Sequence, residues 1–147
     1  MTYRIAIACD HGGVELKSVV KAFLADRHIE VIDLGTNDTV SVDYTDYAHA
    51  LAEFVLANAN TLGILICGTG IGMSLAANRH SGIRAALCTD TYMAQKAREH
   101  NDANVLCLGG RVTGPGLAEH IVDTFVKTEF LGGRHLRRIN QLDAAKQ

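Results

Sequence analysis

The sequence lacks the features that would place its 147 residues outside the ordinary globular proteins. It has no long run of charge of one sign, no linker, no low-complexity stretch and no convincing internal repeat. A net charge of -2, with 48% hydrophobic residues, argues against disorder and against a general nucleic-acid-binding surface. The length suits one compact core, so we expect residues 1–147 to form a single domain.

No segment is typical of export or of a membrane span. The amino-terminal stretch MTYRIAIACDHGG has one early arginine, a short apolar run and then an acidic residue. A secretory signal or a transmembrane helix needs a longer apolar run. We therefore expect a cytoplasmic protein with neither a membrane nor a nucleic-acid partner.

Cysteine is present, but not in a pattern that binds metal. There is no C-x-x-C pair and no closely spaced set of cysteine and histidine, so a structural zinc site has no support. The cysteines lie in or at the ends of apolar strand-like runs, which predicts reduced thiols in a chain of this size. The four residues concerned are Cys9, Cys67, Cys88 and Cys107.

Strand-like and helix-like patterns alternate along the whole chain. Five apolar runs predict strands, each followed by a helical pattern: YRIAIA, IEVIDLG, LGILIC, IRAALCT and ANVLCLG. The only proline, Pro115, suits the first turn of the fifth helix, and GGRHLRRINQLDAAKQ predicts a C-terminal helix. We therefore expect an α/β fold, a Rossmann-like doubly wound five-stranded parallel sheet with helices on both faces and a C-terminal helix.

Ligands of such sheets bind outside the carboxyl ends of the strands, and four of the five predicted ends carry polar or reactive residues. These groups are Asp10 and His11, Cys67 with its glycines, Thr89 and Asp90, and Gly109 to Arg111. Asp10 admits two interpretations, a helix cap or, together with His11, a contact to a substrate.

The stretch GILICGTGIGM places a glycine-rich loop, residues 68–72, between the third strand and a helix. Its backbone N–H groups are able to approach a ligand closely, and the helix adds partial positive charge, so the loop suits an anion. A plain tight turn is one alternative. A dinucleotide loop, with Asp90 as the ribose-binding acid, is another, although the spacing is G-x-G-x-G and the loop follows the third strand.

Cys67 immediately precedes these N–H groups. Surroundings of this kind lower the pKa of a thiol from about 8.5 to about 3.5–7.5, which would make Cys67 a base or a nucleophile. The alternative is a small buried core residue, which is how we interpret Cys9, Cys88 and Cys107.

Further cations lie in the last third of the chain. His100 and Asn101 end the fourth predicted helix, where the helix dipole favours a protonated histidine. Arg134 and Arg138 share one face of the last predicted helix and suit a phosphate dianion, with Arg111 as a third cation. A solvated basic tail is the alternative. The other histidines are interpreted as surface or helix-face residues: His28, His49, His80, His120 and His135.

Six ordered blocks resemble the ribose-5-phosphate isomerase type B family across nearly the whole chain: ACDHGG, DYTDYA, GILICGTGIG, AANRHSGIRAA, REHNDANVL and GGRHLRRI. The resemblance implies an aldose-ketose isomerase of the pentose phosphate pathway. Such an enzyme interconverts ribose 5-phosphate and ribulose 5-phosphate through an enediolate, without metal or organic cofactor. It also implies a homo-oligomer, a dimer or a dimer of dimers, with active sites between subunits.

The same resemblance implies roles for individual residues. The catalytic set would be the base that removes the C2 proton, the acid that opens the sugar ring and a loop hydroxyl: Cys67, His100 and Thr69. The sugar and its enediolate would be contacted by Asp10, His11, Tyr44, Gly68, Gly70, Ile71, Gly72 and Asn101. The phosphate would be bound by Arg111, Arg134 and Arg138.

Other functions stay open at this point. Galactose-6-phosphate and allose-6-phosphate isomerases share the fold and many motifs, so a six-carbon sugar phosphate is an alternative substrate. The presence of both Cys67 and His100 in one chain favours the ribose enzyme. A non-catalytic nucleotide-binding module would retain NAD or ATP on purification. A redox sensor built on Cys67 is weakened by the lack of a clear resolving cysteine.

Overall fold

The computed structural model describes residues 2–144. Five strands form one fully parallel sheet in the order β2-β1-β3-β5-β4. They are β1 (Arg4–Cys9), β2 (Val31–Asp33), β3 (Thr61–Cys67), β4 (Ala85–Leu87) and β5 (Val105–Gly109). The predicted five-stranded parallel α/β fold is therefore confirmed.

Helices follow every strand, as the alternating patterns predict. They are α1 (Val14–Asp26), α2 (Tyr44–Ala57), α3 (Ile71–Ala77), α4 (Thr91–Asn101), α5 (Pro115–Lys127) and α6 (Arg134–Ile139), with 3-10 turns at His11–Gly13 and Leu142–Ala144. Pro115 is the first residue of α5, where its missing N–H costs nothing. None of the helices within residues 2–144 is long and apolar enough to cross a membrane.

The two faces of the sheet are covered by different helices. Side chains alternate along a strand, so Ile64 and Ile66 of β3 pack in the cluster that contains residues of α1, α4 and α5. Leu65 and Cys67 point to the other face and pack with residues of α2 and α3. Cys67 is therefore the last residue of its strand and lies on the α2 and α3 side.

Three elements are shorter than their patterns predict. Strands β2 and β4 keep only three residues each, because they are the edge strands and each pairs with a single neighbour. Helix α6 begins after Gly132 and Gly133, whose φ angles are 68° and 59°, and ends at Ile139 rather than continuing through the whole predicted stretch. Residues 145–147 of that predicted helix lie outside the described part of the chain.

The loop between β2 and α2 is tied down by Lys17, a buried residue of α1. Its ammonium group donates to Asp33 Oδ1 and Asn37 Oδ1, each at 2.8 Å, and to the Thr36 carbonyl oxygen. Burial alone would raise the pKa of Asp33, but hydrogen bonds from Lys17, Lys21 and a backbone N–H outweigh it and hold that pKa below its usual value. This network fixes the chain that leads to the start of α2.

The strand order creates a crevice at the carboxyl ends of β1 and β3. The chain passes from β1 to β2 on one side and then to β3 on the other side of β1. Adjacent strands whose connections leave in opposite directions mark the place where parallel sheets bind ligands. The loop after β1 and the glycine loop after β3 both start at this crevice.

Candidate active site

Three loops meet where β1, β3 and β5 end, and glycines allow their close approach. A Cβ atom on Gly12 would lie 3.2 Å from the Gly68 nitrogen, and one on Gly109 would lie 2.8 Å from the Thr69 oxygen. A Cβ atom on Gly110 would lie 2.5 Å from the Gly12 oxygen. The backbones of the first, third and fifth strand ends are therefore in contact, which a larger residue at these positions would prevent.

The sulfur of Cys67 accepts a hydrogen bond from the glycine loop. The Gly70 N–H donates to Sγ at 3.1 Å, and Cys67 is only 5% exposed. Gly70 has φ +79°, and a Cβ atom there would lie 2.6 Å from Leu87, so the turn that aims this N–H at the sulfur requires glycine. The thiol thus lies between the apolar layer and the loop rather than purely among aliphatic side chains.

The amide groups of the loop divide into two sets. The Gly70 N–H is used by the cysteine sulfur, and the Ile71 N–H donates to the Thr69 hydroxyl at 3.2 Å. Within the described residues, the N–H groups of Gly68 and Gly72 have no acceptor in the chain. Of the loop donors expected to face an oxyanion, these two are available, whereas those of Gly70 and Ile71 are already engaged.

The loop after β1 supplies two polar side chains. Asp10 is buried, and its Oδ1 accepts the Gly12 N–H at 2.8 Å, which confirms the capping interpretation for that oxygen. His11 Nδ1 accepts the Val42 N–H at 3.2 Å. Since Nδ1 is the acceptor, the neutral ring carries its hydrogen on Nε2, and His11 is a hydrogen-bond donor at that atom.

An aromatic ring and a cation flank the glycine loop. The ring of Tyr44, the first residue of α2, covers Gly72, where a Cβ atom would lie 2.7 Å from Tyr44 Cε2. The guanidinium of Arg111 covers Gly68, where a Cβ atom would lie 3.3 Å from Nη1. Both side chains therefore lie beside the loop, and their contact with a sugar and a phosphate stays a prediction.

The other cysteines are structural. All four thiols are free and buried. Burial raises the pKa of Cys9 to about 11 and that of Cys88 to about 12, and it also raises the pKa of Cys107. These thiols stay protonated at neutral pH, which confirms their interpretation as small core residues.

A second cluster of predicted residues lies at the end of α4. His100 and Asn101 line a pocket of about 220 Å³ together with His135 and Arg138 of α6. Arg134 is the first residue of the same short helix. Within the described residues, no three histidine, cysteine, aspartate or glutamate side chains are grouped to hold a metal ion.

The interpretation of His135 as a surface or helix-face residue is confirmed for the helix but wrong for the surface, because this residue of α6 is buried. It is 8% exposed, and its ring stacks on that of His100 with the centroids 4.3 Å apart and the planes 12° from parallel. His49 and His80 are half-buried and form a ring-to-ring hydrogen bond of 2.7 Å, while His28 and His120 are exposed, as expected.

The glycine loop with Cys67 and the cluster around His100 lie at opposite ends of the strands. The loop is at the carboxyl ends, and the cluster is at the amino ends. Helix α4 starts beyond the carboxyl end of β4 and runs back, so His100 lies near Ala103, just before β5 begins, whereas Cys67 pairs with Gly109 at the far end of β5. At about 3.3 Å per strand residue, the two ends are about 20 Å apart. One chain therefore joins neither Cys67 to His100 nor Arg111 to the arginines of α6.

Asp90 does not have the surroundings of a ribose-binding acid. Its Oδ1 accepts the Met93 N–H at 2.8 Å and so caps the start of α4. In addition, β5 lies between β4 and the strand that leads into the glycine loop. The interpretation of the glycine loop as a dinucleotide-binding loop therefore lacks its ribose-binding acid.

Comparison with known proteins decides between the remaining interpretations. The family model described as Ribose/Galactose Isomerase matches residues 5–142. The chain belongs to this ribose/galactose isomerase family. Membership confirms the resemblance carried by the six motif blocks and makes the protein an isomerase of phosphorylated sugars.

Individual members of the family are similar over nearly the full length. Ribose-5-phosphate isomerase B of Escherichia coli is 46% identical over 144 residues, which cover 98% of this chain and 97% of the relative. The structure of a ribose 5-phosphate isomerase from Thermotoga maritima superposes with a TM-score of 0.96 at 54% identity, covering 99% of this chain and 100% of the other. Ribose-5-phosphate isomerase B of Mycoplasma genitalium with bound ribulose-5-phosphate gives 0.92 at 44% identity, covering 97% and 95%.

Proposed function

We propose that this isomerase interconverts ribose 5-phosphate and ribulose 5-phosphate through an enediolate, with Cys67 as the base. The observation that carries the proposal is the Gly70 N–H on the Cys67 sulfur, at a crevice that also presents unpaired amide groups and a guanidinium. The structure of the Mycoplasma genitalium relative with ribulose-5-phosphate supports the choice of substrate.

The contacts of Cys67 suit proton transfer at carbon. The Gly70 N–H donates to the Cys67 sulfur and so holds it at the crevice beside the glycine loop. The thiolate takes the C2 proton of the open aldose, the C–H electrons form the C1–C2 double bond, and the aldehyde oxygen takes the negative charge. The proton of the C2 hydroxyl passes to O1, and return of the proton from Cys67 to C1 as the C2=O bond forms then gives the ketose.

The remaining polar groups have places in the same scheme. The unpaired N–H groups of Gly68 and Gly72 donate to the enediolate oxygens, which lowers the barrier most where charge develops. Asp10 and His11 contact the sugar hydroxyls, the latter through Nε2–H. Amide groups carry the charge of the intermediate, so this scheme needs neither a metal nor an organic cofactor.

The second cluster completes the site only if it comes from another copy of the chain. We therefore propose a homo-oligomer in which the Cys67 loop of one copy faces His100, Asn101 and the α6 arginines of the next. The location of the two clusters beyond opposite ends of β5, which by strand rise are about 20 Å apart, supports this arrangement. A two-fold interface would create two equal sites, because each copy contributes both parts.

In this arrangement His100 donates a proton to the ring oxygen O4 as the C1–O4 bond breaks, while the C1 hydroxyl loses its proton to water and becomes the aldehyde. Arg111, Arg134 and Arg138 bind the phosphate, which holds C2 at the sulfur. A cytoplasmic location and a place in the pentose phosphate pathway remain predictions.

A panel of aldose phosphates tests the proposed function. We expect ribose 5-phosphate to give its ketose at the highest kcat/KM, with and without a chelator. Faster conversion of allose 6-phosphate or galactose 6-phosphate would move the assignment to a six-carbon substrate. Absence of ketose from every sugar phosphate would reject the function.

The arginines of α6 should differ in their effects. We expect Arg134→Ala to raise KM for ribose 5-phosphate about 10- to 100-fold, since a hydrogen bond to a charged group contributes about 1.5–3 kcal/mol. Arg137→Ala is the matched control, because Arg137 is an exposed arginine of the same helix outside the predicted phosphate set. Equal KM values in the two variants would support the solvated basic tail instead.

A further inference from the structure

His135, which stacks on His100, has no role in the proposed isomerase reaction. His135 is buried and stacks on the half-buried His100, with the two rings almost parallel. We propose that His135 is a positioning residue that holds the imidazole of His100 in the orientation needed for proton transfer to the sugar ring. This inference rests on the proposed role of His100 as the ring-opening acid.

The stack is the contact that orients His100. Within the described residues, neither imidazole side chain has a hydrogen-bond partner, so packing alone fixes the plane of the His100 ring. Its supporting element is held against α4, because the Leu131 N–H donates to the Glu99 carbonyl oxygen at 3.1 Å just before α6 begins. The segment that carries His135 is thereby attached to the helical turn that carries His100.

The charges around the pair disfavour a proton on His135. Burial lowers the pKa of His135, and the positive charges of His100, Arg134 and Arg138 lower it further, while Glu99 acts in the opposite direction. The Glu99 carboxylate is itself paired with Lys96 and Gln95. A positive charge on His135 is therefore disfavoured beside His100, Arg134 and Arg138.

Two substitutions separate ring stacking from simple filling of space. His135→Phe keeps a flat ring of similar size, and we expect kcat for ribose 5-phosphate to stay within about threefold, because the ring plane is retained. His135→Leu keeps apolar volume but no plane, and we expect kcat to fall about 10- to 100-fold with KM almost unchanged, as for a misplaced catalytic group. His120→Leu, an exposed histidine of α5, is the control. Equal kcat values for the Phe and Leu variants would overturn the proposal.

A second readout isolates the ring-opening step. Ribulose 5-phosphate has its O5 phosphorylated and stays open, so exchange of its C1 hydrogen with deuterium in D₂O requires the base but not the acid. We expect His135→Leu to retain this exchange and to retain inhibition by inorganic phosphate. Loss of exchange in parallel with kcat would assign His135 a general structural role and reject positioning. Absence of exchange in the unmodified enzyme would instead reject the proposed function.

The unmodified enzyme provides a test that needs no substitution. With labelled histidine, NMR should show cross-relaxation between the His100 and His135 rings and a His135 ring that remains neutral below the ordinary imidazole range. Absence of the contact between the rings in solution would overturn the proposal even if the Leu variant failed to fold.

Discussion

Replacing Cys67 with alanine should lower kcat for ribose 5-phosphate by about 10³-fold while leaving the binding of sugar phosphate nearly unchanged. General acid–base groups contribute about 10²–10⁴-fold, and the variant removes the proposed base from a site whose phosphate ligands are elsewhere. Binding is measured by inhibition with inorganic phosphate, and kcat by ketose formation. The residual rate reports what amide groups and positioning achieve alone.

Deuterium exchange gives this prediction a second measurement. Cys67→Ala should also lose exchange at C1 of ribulose 5-phosphate, because the same thiolate removes that hydrogen. Cys88→Ala is the control, since it removes another buried thiol whose pKa of about 12 keeps it protonated. Full activity in the Cys67 variant, or equal loss in the Cys88 variant, would reject Cys67 as the base.

Much of the fold follows from patterns that are local in sequence. Three central strands are buried on both sides, so their composition alone identifies them. Strands β3 and β5 end where predicted, and β1 ends one residue later, at Cys9. The first and last residues of the edge strands β2 and β4 could not be predicted in this way. Their length depends on which neighbour they pair with, and this is decided by the order of strands in the sheet.

His135 shows why part of the site was missed. In the run of Arg134, His135 and the later arginines, charge dominates the pattern, which predicts a phosphate site or, as the alternative, a solvated basic tail. A signal was nevertheless present, because His135 and Ile139 are four residues apart and share a helix face. Burial of that face requires α6 to pack on the end of α4, a long-range contact that spacing alone does not specify.

The separation of the two clusters follows from the path of the chain. Cys67 lies at the end of a strand and His100 at the end of a helix. In a parallel α/β fold, strands end at one side of the sheet and the helices that follow them end at the other, where the next strands begin. The resemblance to the family indicates that both residues are functional but gives no distance between them. The position of each residue within its own strand or helix therefore indicates whether one chain or two form the site, which the motifs alone do not.

Two inactive variants should restore activity when they are assembled together. Co-expression of Cys67→Ala and His100→Ala chains with different tags, followed by purification on both tags, yields mixed dimers. In one of the two sites an intact Cys67 meets an intact His100, and in the other two alanines meet. We expect about half the activity of the unmodified dimer, whereas each variant alone should lose about 10²-fold or more.

The reciprocal pairing makes the result unambiguous. A chain that carries both substitutions, combined with an unmodified chain, places one alanine in each site and should be almost inactive if the sites lie between copies. If each chain held a complete site, this mixed dimer would keep about half the activity, and the pair of single variants would have none. The two combinations therefore give opposite results for the two arrangements. The location of Cys67 and His100 at opposite ends of β5 in one chain predicts activity only in the pair of single variants.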